Sequence, residues 1–376
     1  MAMDFPASPT EGQTYQAPGG PLYTYRAPAW RSGVTQPQVA KSWRNRVVNS
    51  AMQWSQENAV NSAPVTAVGL WYAADQFYAN WNFTGATFSA TRVTNATASP
   101  NGNTYAVYTA CQTAKATPAS GEYWMLGTRI EGYNVSDFKW GTAGARRAII
   151  RFSFSAMLVG TYTLQVMNHD ASRAYITPFT VATAGVWATY TVVVPGDTAG
   201  VWANETNTGI SLRWVLSGQA SFTAPTDVWG TNVGYATGQA NLAVAAANSC
   251  MLTDVGLYLD VNGDGVPPPW ETPDPAAELA RCQRYWNSLM LYGSTTTPAA
   301  VVVFYAHAHF TVPFRVMPTF TGVNGVNSGF SATVGSLTGL AATNGLVNGV
   351  VEGRASTGTA GTAAVWSTHV FANARM

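Results

Sequence analysis

The chain has 376 residues, enough for two or three domains that each bury a hydrophobic core. Apolar residues make up 47% and aromatic residues 12%, which excludes a disordered chain because their burial offsets the entropy lost on folding. The net charge of +1 argues against nucleic acid and anionic membranes as partners. Charged residues make up only 10%, and a surface so poor in charge favours a rigid assembly in which other subunits cover it.

The cysteines and the N-terminus indicate where the chain is made. Cys111, Cys250 and Cys282 are an odd number without a CxxC pair, which predicts reduced, buried thiols and not a disulfide-stapled secreted module. The start MAMDFPASPT has neither the basic residues nor the apolar core of a signal peptide. No stretch approaches the roughly 18 apolar residues of a membrane span. We therefore expect synthesis in the cytoplasm and no membrane insertion.

Residues 1–33 are predicted to form an N-terminal β-hairpin adaptor. Two alternating runs, Gln13–Ala17 and Leu22–Arg26, flank an Ala-Pro-Gly-Gly-Pro turn in which the glycines permit positive φ. Two strands alone are marginal in water, so the hairpin needs a partner or symmetry mates to pack against. Residues 34–42 are predicted to be a linker.

Residues 43–272 are predicted to form a jelly-roll β-sandwich. Apolar and polar residues alternate in five segments: Thr87–Val93, Ala148–Phe154, Tyr162–Met167, Trp187–Val194 and Ser211–Val215. The spacers SPNGN, PGDTAG, NETNTG and SGQAS supply turn residues. Strands at this spacing indicate an all-β fold of two packed sheets.

A short helix is predicted within residues 273–293. Asp274 can cap its N-terminus, and Pro275 can occupy the first helical position. The helical periodicity runs over Pro275–Leu291 and places several large side chains on one face: Leu279, Cys282, Tyr285, Trp286 and Leu289.

Residues 294–376 are predicted to form a β-rich C-terminal region. Strands are expected at Val301–Phe310, at Thr319–Val323 and near Val365–Ala372. The Gly/Asn-rich interval between them is compatible with further short strands or with loops. Long uncharged β segments expose edges that invite aggregation, and closed symmetry removes such edges. We therefore expect the chain to form an oligomer.

Six sequence blocks follow one another in order over most of the chain. The blocks are FPASPTEGQTYQAPGGPLYTYRAPAW, RNRVVNSAMQWSQ with GLWYAADQF, RIEGYNVSDFKWGTAGARRAIIRFSF, VPGDTAGVWANETNTGISLRW, DVGLYLDV with ELARCQRYW, and FTVPFRVMPTF. Together they resemble tail fibre and appendage proteins of tailed bacteriophages that carry a carbohydrate-binding-module-like jelly roll. The chain departs from the usual pattern at Asn49-Ser50, where Asn-Gly is common, and at the loop Gly265–Trp270.

The resemblance implies a virion protein without catalytic residues, usually a homotrimer. It implies a tail fibre that contributes to recognition of host-surface polysaccharide, with the N-terminal region contacting other virion proteins. One alternative is a head fibre or other virion decoration without receptor binding. A second alternative is a glycan-degrading tail spike.

The segment Asp260–Gly265 together with Glu271 matches the spacing of a calcium-binding loop. Asp260, Asn262, Asp264 and Glu271 would supply oxygen ligands, and a glycine would permit the sharp turn. Three consecutive prolines restrict φ where such a loop should wrap, and a strand pattern precedes the segment where a helix would be expected. An Asn/Asp/Gly turn is the alternative.

His307 and His309 are a second metal candidate. On a strand these two positions share one face, and in a parallel trimer three such pairs would bring six imidazoles to the axis. The alternative is a histidine pair on an exposed or subunit-facing strand without metal. No other cofactor is expected.

Exposed tryptophans are the candidate carbohydrate-binding residues, because sugars stack their apolar C–H faces on indole rings. Trp202 and Trp229 lie in turn-rich stretches and are the candidates, whereas most other tryptophans alternate with polar residues and are predicted to be core or subunit contacts. Scattered acids would need to lie roughly 5–10 Å apart to hydrolyse a glycan. No GxSxG, HExxH or phosphate-loop motif is present, so we expect no enzyme.

Overall fold

The computed structural model describes most of the chain in two compact units, Met1–Arg44 and Asn45–Met376. The described residues are 6–16, 22–27, 29–32, 44–58, 69–94, 99–296, 303–309, 311–316, 318–323, 341–343, 350–356 and 363–376. The predicted linker over residues 34–42 lies outside these residues.

The described residues form 21 strands and two short α-helices. The strands are β1 (Thr14–Gln16), β2 (Leu22–Arg26), β3 (Ala29–Ser32), β4 (Gly69–Ala74), β5 (Phe77–Asn82), β6 (Thr87–Thr94), β7 (Tyr105–Thr113), β8 (Tyr123–Glu131), β9 (Ala148–Ala156), β10 (Gly160–Met167), β11 (Ala174–Val181), β12 (Ala188–Val194), β13 (Thr208–Gly218), β14 (Trp229–Gly230), β15 (Ser249–Leu259), β16 (Trp286–Thr296), β17 (Val303–His309), β18 (Thr319–Val323), β19 (Ala341–Thr343), β20 (Val350–Ser356) and β21 (Ala363–Asn373). The helices are α1 (Gly132–Val135) and α2 (Pro275–Gln283), and 3-10 turns occur at Ser136–Phe138 and Leu242–Val244.

The N-terminal unit is a three-stranded antiparallel sheet in the order β1-β2-β3. The two predicted strands pair as expected, with Tyr15 opposite Tyr23. The hairpin prediction was incomplete, because β3 adds a third strand in which Trp30 lies opposite Tyr25. The Trp30 ring also contacts that of Tyr15, with centroids 6.1 Å apart, so β3 helps to cover a pair of strands that would be marginal alone.

Two antiparallel sheets form the β-sandwich, which confirms the predicted all-β fold. One sheet has the order β14-β11-β10-β13-β8-β5-β4 and the other the order β12-β9-β15-β7-β6. Alternate side chains of both sheets point inward and form one continuous core, in which Trp81, Trp124 and Trp214 are almost fully buried. Residues Arg129, Ser211 and Arg213 of strands β8 and β13 in the seven-stranded sheet line a pocket.

The predicted helix begins where expected but ends early. Asp274 caps α2, since its Oδ1 accepts a hydrogen bond of 2.8 Å from the backbone N–H of Ala277. The prediction of helix up to residue 293 was wrong, because β16 starts at Trp286. Eleven residues of β16 pair with β21, and this long ladder outweighs a helical periodicity that Tyr285, Trp286 and Leu289 happen to share. The four-residue helix α1 was not predicted.

The C-terminal region is β-rich, as predicted. Strands β16, β21 and β18 form one sheet, and strands β17, β20 and β19 form another. The three predicted strands correspond to β17, β18 and β21, while β19 and β20 lie in the Gly/Asn-rich interval. No helix among the described residues is long and apolar enough to cross a membrane.

Candidate functional site

Three tryptophans that are distant in sequence form one cluster at strand β14, an edge strand of the seven-stranded sheet. Trp140 follows the 3-10 turn Ser136–Phe138, Trp202 lies between β12 and β13, and Trp229 begins β14. Their ring centroids are 4.8 Å apart for Trp140 and Trp202, 5.2 Å for Trp140 and Trp229, and 5.4 Å for Trp202 and Trp229. All three pairs meet edge to face, the geometry that aromatic quadrupoles favour.

The indole N–H groups of the cluster are all bonded to the main chain. Trp140 donates to the carbonyl of Arg146 at 2.7 Å, Trp202 to that of Ala199 at 3.1 Å, and Trp229 to that of Pro195 at 2.8 Å. Trp140 is buried, whereas the other two are half-buried and pack on the edge of the core. The three rings are therefore held in fixed orientations by their polar edges.

A buried ion pair supports the loop that carries Trp202. Arg173 donates twice to Asp197, at 2.7 and 2.8 Å, and the Asp197 side chain is only 2% exposed. This carboxylate raises the pKa of Arg173. Asp197 also accepts from the N–H of Ala199 at 3.1 Å, and its carbonyl accepts from the N–H of Gly141 at 2.7 Å. One residue thus fixes the loops of Trp140 and Trp202 against each other.

Two glycines permit the close approach of these loops. Gly141 has a φ of +81°, and a Cβ there would lie 2.8 Å from the carbonyl oxygen of Gly200 and 3.0 Å from Cδ1 of Trp202. Gly200 has a φ of +78°, and a Cβ there would lie 2.3 Å from Cγ of Arg173. Both positions require glycine for its backbone freedom and for its lack of a side chain.

The cluster borders a pocket of about 430 Å³, which we call the tryptophan pocket. Trp140 and Trp202 form part of its wall, and the polar side chains around it are those of Ser136, Lys139, Thr142 and Asn204. Lys139 and Asn204 are exposed. A pocket of this size with apolar walls and a few polar groups suits a small molecule or one unit of a polymer.

The structure brings the two predicted carbohydrate-binding tryptophans together but gives them different positions. Trp202 lines the pocket, whereas Trp229 packs behind it against Trp140 and against Tyr175, at 5.3 Å between centroids. Trp140 is the residue that sequence reasoning missed. Its neighbours, the turn-forming residues of the segment WGTAGARR, were the available signal.

In the calcium-loop candidate, backbone N–H groups of the same segment donate hydrogen bonds to the aspartate side chains. Asp260 is buried and forms an ion pair with Arg147, and it accepts from the N–H of Gly263 at 2.8 Å and of Gly265 at 3.2 Å. Asp264 accepts from the N–H of Val266 at 3.0 Å. These bonds are those of the Asn/Asp/Gly turn alternative. Within the described part of the chain no three His, Cys, Asp or Glu residues group as metal ligands. Calcium binding with Asn262 and Glu271 stays a prediction.

The two candidate histidines lie on strand β17, as their pattern predicted. His307 is opposite Glu352 and His309 opposite Val350 in the antiparallel ladder with β20. Their side chains lie outside what the structure describes. Metal binding at this pair therefore stays a prediction.

Two of the scattered acids, Glu131 and Asp137, are engaged in contacts inside the fold. Glu131 is buried and accepts from Arg284 at 2.8 Å and from the Tyr285 hydroxyl at 3.1 Å. Asp137 pairs with Arg46 at 2.7 Å. These contacts give the carboxylates structural roles, and the expectation that the chain is not an enzyme stays a prediction. The predicted buried thiols are confirmed, because Cys111, Cys250 and Cys282 are all free and buried.

Comparisons with known proteins give matches only among solved structures. No family model and no curated protein matches the sequence. An enzymatically active domain of tailspike protein 4 from bacteriophage CBA120 is 8% identical, with a TM-score of 0.30, and covers 57% of this chain. The match spans 21%, about a fifth, of that tailspike chain.

Carbohydrate-binding modules are also among the similar structures. A family 11 module from Clostridium thermocellum, in complex with a beta-1,3-1,4-mixed-linked tetrasaccharide, is 11% identical over 51% of this chain and 97% of that chain, with a TM-score of 0.27. The module TmCBM61, in complex with beta-1,4-galactotriose, is 11% identical over 58% of this chain and 99% of that chain, with a TM-score of 0.28.

Proposed function

We propose that this chain binds a glycan through the tryptophan pocket. The observation that carries this proposal is the cluster of Trp140, Trp202 and Trp229 beside an open pocket of about 430 Å³. A pyranose ring has an apolar C–H face that packs on an indole ring, while its hydroxyl rim needs hydrogen-bonding groups. Trp202 supplies the indole ring for the apolar face, and the exposed side chains of Lys139 and Asn204 supply hydrogen-bonding groups for the hydroxyl rim.

The rigidity of the pocket favours this role. The indole N–H groups are bonded to main-chain carbonyls, and Asp197 holds the two loops through Arg173 and Gly141. A site whose side chains are already ordered loses less conformational entropy when its ligand binds. Weak contacts with a sugar can therefore yield measurable affinity.

The place of this chain in an assembly is a second proposal, supported by the six ordered sequence blocks. We propose a non-catalytic external appendage of a tailed bacteriophage, made in the host cytoplasm, in which the N-terminal unit contacts other virion proteins. Tail fibre with host-surface recognition is the preferred form, and a head fibre or a glycan-degrading spike are the alternatives. Immunogold labelling of particles distinguishes tail from head, and release of reducing ends from a bound polysaccharide would select the spike.

Self-association is part of this proposal and has a direct test. We expect the purified full chain to form a homotrimer, because a chain with 10% charged residues gains from covered surfaces. Light scattering should then report three times the 39.9 kDa of one chain. A stable monomer at micromolar concentration would contradict the trimer and leave the glycan proposal intact.

The glycan proposal is tested by binding of the full chain to an array of bacterial surface polysaccharides. Replacing Trp202 by Ala should lower the affinity for a retained polysaccharide about ten- to hundredfold, the value of one large buried apolar contact. Trp270→Ala is the matched control, because Trp270 is half-buried and does not line the pocket. Equal losses in the two variants, or no polysaccharide retained by the unaltered chain, would contradict the proposal.

A further inference from the structure

A second pocket, of about 470 Å³, is lined by cations from distant parts of the sequence. We call it the arginine pocket. Its charged and basic lining residues are Arg129, His169, Arg213, Arg315 and Arg375. No aspartate or glutamate lines it among the residues that the structure describes. A chain with a net charge of +1 therefore concentrates positive charge at one place.

Two strands of the seven-stranded sheet form the floor of the arginine pocket. Arg129 on β8 lies opposite Ser211 on β13, and Arg213 lies two residues further along β13 on the same face. The alternate residues Leu212 and Trp214 are fully buried in the core between the sheets. Ser211 and Arg213 therefore lie on the outer face, with rigid strands beneath them.

The residues above this floor bring further positive charge without full compensation. Arg315 donates to the carbonyls of Ala374 at 3.0 Å and Arg375 at 3.3 Å, and also to that of Thr206. Carbonyl oxygens satisfy its N–H groups but do not neutralise its charge, and burial lowers its pKa. Arg375 pairs with Glu57 and lies 3.8 Å from Asp75. His169 lies 3.9 Å from Asp170, and Arg129 in the floor donates to the main-chain oxygen of Met376, the last residue of the sequence. The ion pairs within the described part of the chain do not include Arg213 or Arg315.

Polar atoms at the floor lack partners within the described part of the chain. Ser211 is 3% exposed, and its buried hydroxyl has no hydrogen bond there. The buried Nε of Arg213 has none either. Leaving a buried polar group unpaired destabilises the fold, and more so when the group is charged. Such groups persist in a fold where a water molecule, an ion or a ligand supplies the missing partner.

We propose that the arginine pocket binds an oxyanion, a carboxylate or a phosphate group carried by an acidic ligand. The guanidinium group presents N–H donors in a planar fork that matches both groups with two parallel hydrogen bonds. Arg213 and Ser211 would donate to the anion, and Arg129 and Arg315 would add attraction around it. This site is separate from the tryptophan pocket and does not depend on the function proposed there.

The test uses small probes on the full chain. Isothermal titration calorimetry measures binding of glucuronate, inorganic phosphate and, as the neutral match of glucuronate, glucose. We expect glucuronate or phosphate to bind and glucose to bind at least tenfold more weakly. Preference for glucuronate identifies a carboxylate-bearing sugar as the source of the anion, and preference for phosphate identifies a phosphorylated ligand. Absence of binding by both anions would overturn the proposal.

Two variants with the same charge change locate the site. Arg213→Gln should weaken anion binding about ten- to hundredfold, the value of hydrogen bonds to a charged group. The matched control Arg146→Gln removes an exposed positive charge elsewhere and should change the affinity less than twofold. Equal effects of the two variants would show a diffuse charge effect and overturn the proposal.

Further variants keep the result interpretable if Arg213→Gln does not fold. Arg213→Lys keeps the charge but loses the planar fork, so we expect at least a threefold loss of affinity with an unchanged melting temperature. Ser211→Ala should weaken binding severalfold by removing a donor. Trp202→Ala should leave anion binding unchanged, which separates failure of this site from failure of the tryptophan pocket. Full affinity in both Arg213→Lys and Ser211→Ala would contradict the assignment.

Discussion

Residues of strand β13 line both pockets, but the two pockets are built in opposite ways. Gly209 and Ile210 of β13 line the tryptophan pocket, and Thr208 and Ser211 line the arginine pocket. In the first, loops carry the aromatic side chains and the indole N–H groups are all bonded to the chain itself. In the second, strands carry polar groups of which some lack partners among the described residues. A satisfied polar network fixes shape, whereas unsatisfied donors select an acceptor.

This difference between the two pockets predicts which substitution lowers the free energy of unfolding most. Asp197→Ala should lower the free energy of unfolding by about 3–5 kcal/mol, because it leaves the mostly buried Arg173 without its carboxylate. Asp170→Ala is the control, since the side chains of its pair with His169 are 42% and 49% exposed and this pair should be worth at most about 1 kcal/mol. Urea denaturation measures both. Similar losses in the two variants would show that the buried pair does not support the tryptophan loops.

The next largest effect on stability is expected at Gly200, in the loop that carries Trp202. Gly200 and Gly121 both have a φ of +78°, but a Cβ at Gly121 would meet no atom within 4 Å. Gly121→Ala should therefore cost about 1–2 kcal/mol from its left-handed conformation alone. Gly200→Ala should cost more and should also weaken glycan binding, because the new methyl group displaces Arg173 from Asp197. Equal melting temperatures would refute a role for this close approach.

The sequence predicted the sandwich well, because its strands alternate and its turns contain Gly, Pro, Asn and Asp. The cap of α2 was also predictable, since Asp274 and Pro275 are local signals. The end of that helix was not, because β16 is stabilised by its ladder with β21, about 80 residues away in sequence. Long-range pairing of this kind leaves no local pattern.

The candidate sites show the same limit. Trp202 and Trp229 were found because they lie in turn-rich stretches, but their contact with Trp140 depends on three segments that are distant in sequence. The arginine pocket was not predicted at all, because Arg129, Arg213 and Arg315 are separated by some 80 to 100 residues each. The composition did not indicate this pocket, because a net charge of +1 does not reveal a local cluster of basic residues.

Salt should separate the two pockets in a single experiment. Raising NaCl from about 0.05 M to 0.5 M should weaken anion binding in the arginine pocket about three- to tenfold, because ions screen charges that are partly open to solvent. Binding of a neutral glycan in the tryptophan pocket should change less than twofold, since stacking on Trp202 involves no charge. Titrations at both salt concentrations measure this. If the affinity of the neutral glycan fell as much as that of the anion, the division into an uncharged and a charged site would be wrong.

The smallest expected effect concerns Trp229, which packs behind the tryptophan pocket and does not line it. Trp229→Phe keeps an aromatic ring against Trp140 but removes the hydrogen bond of 2.8 Å to the carbonyl of Pro195. We expect a loss of about 1 kcal/mol in the free energy of unfolding and less than a threefold loss of glycan affinity. Trp202→Phe is the comparison, because it alters the ring that faces the ligand and should weaken binding more than it lowers stability. If Trp229→Phe instead abolished binding at unchanged stability, the sugar would contact Trp229 directly, and the division between supporting and contacting tryptophans would be wrong.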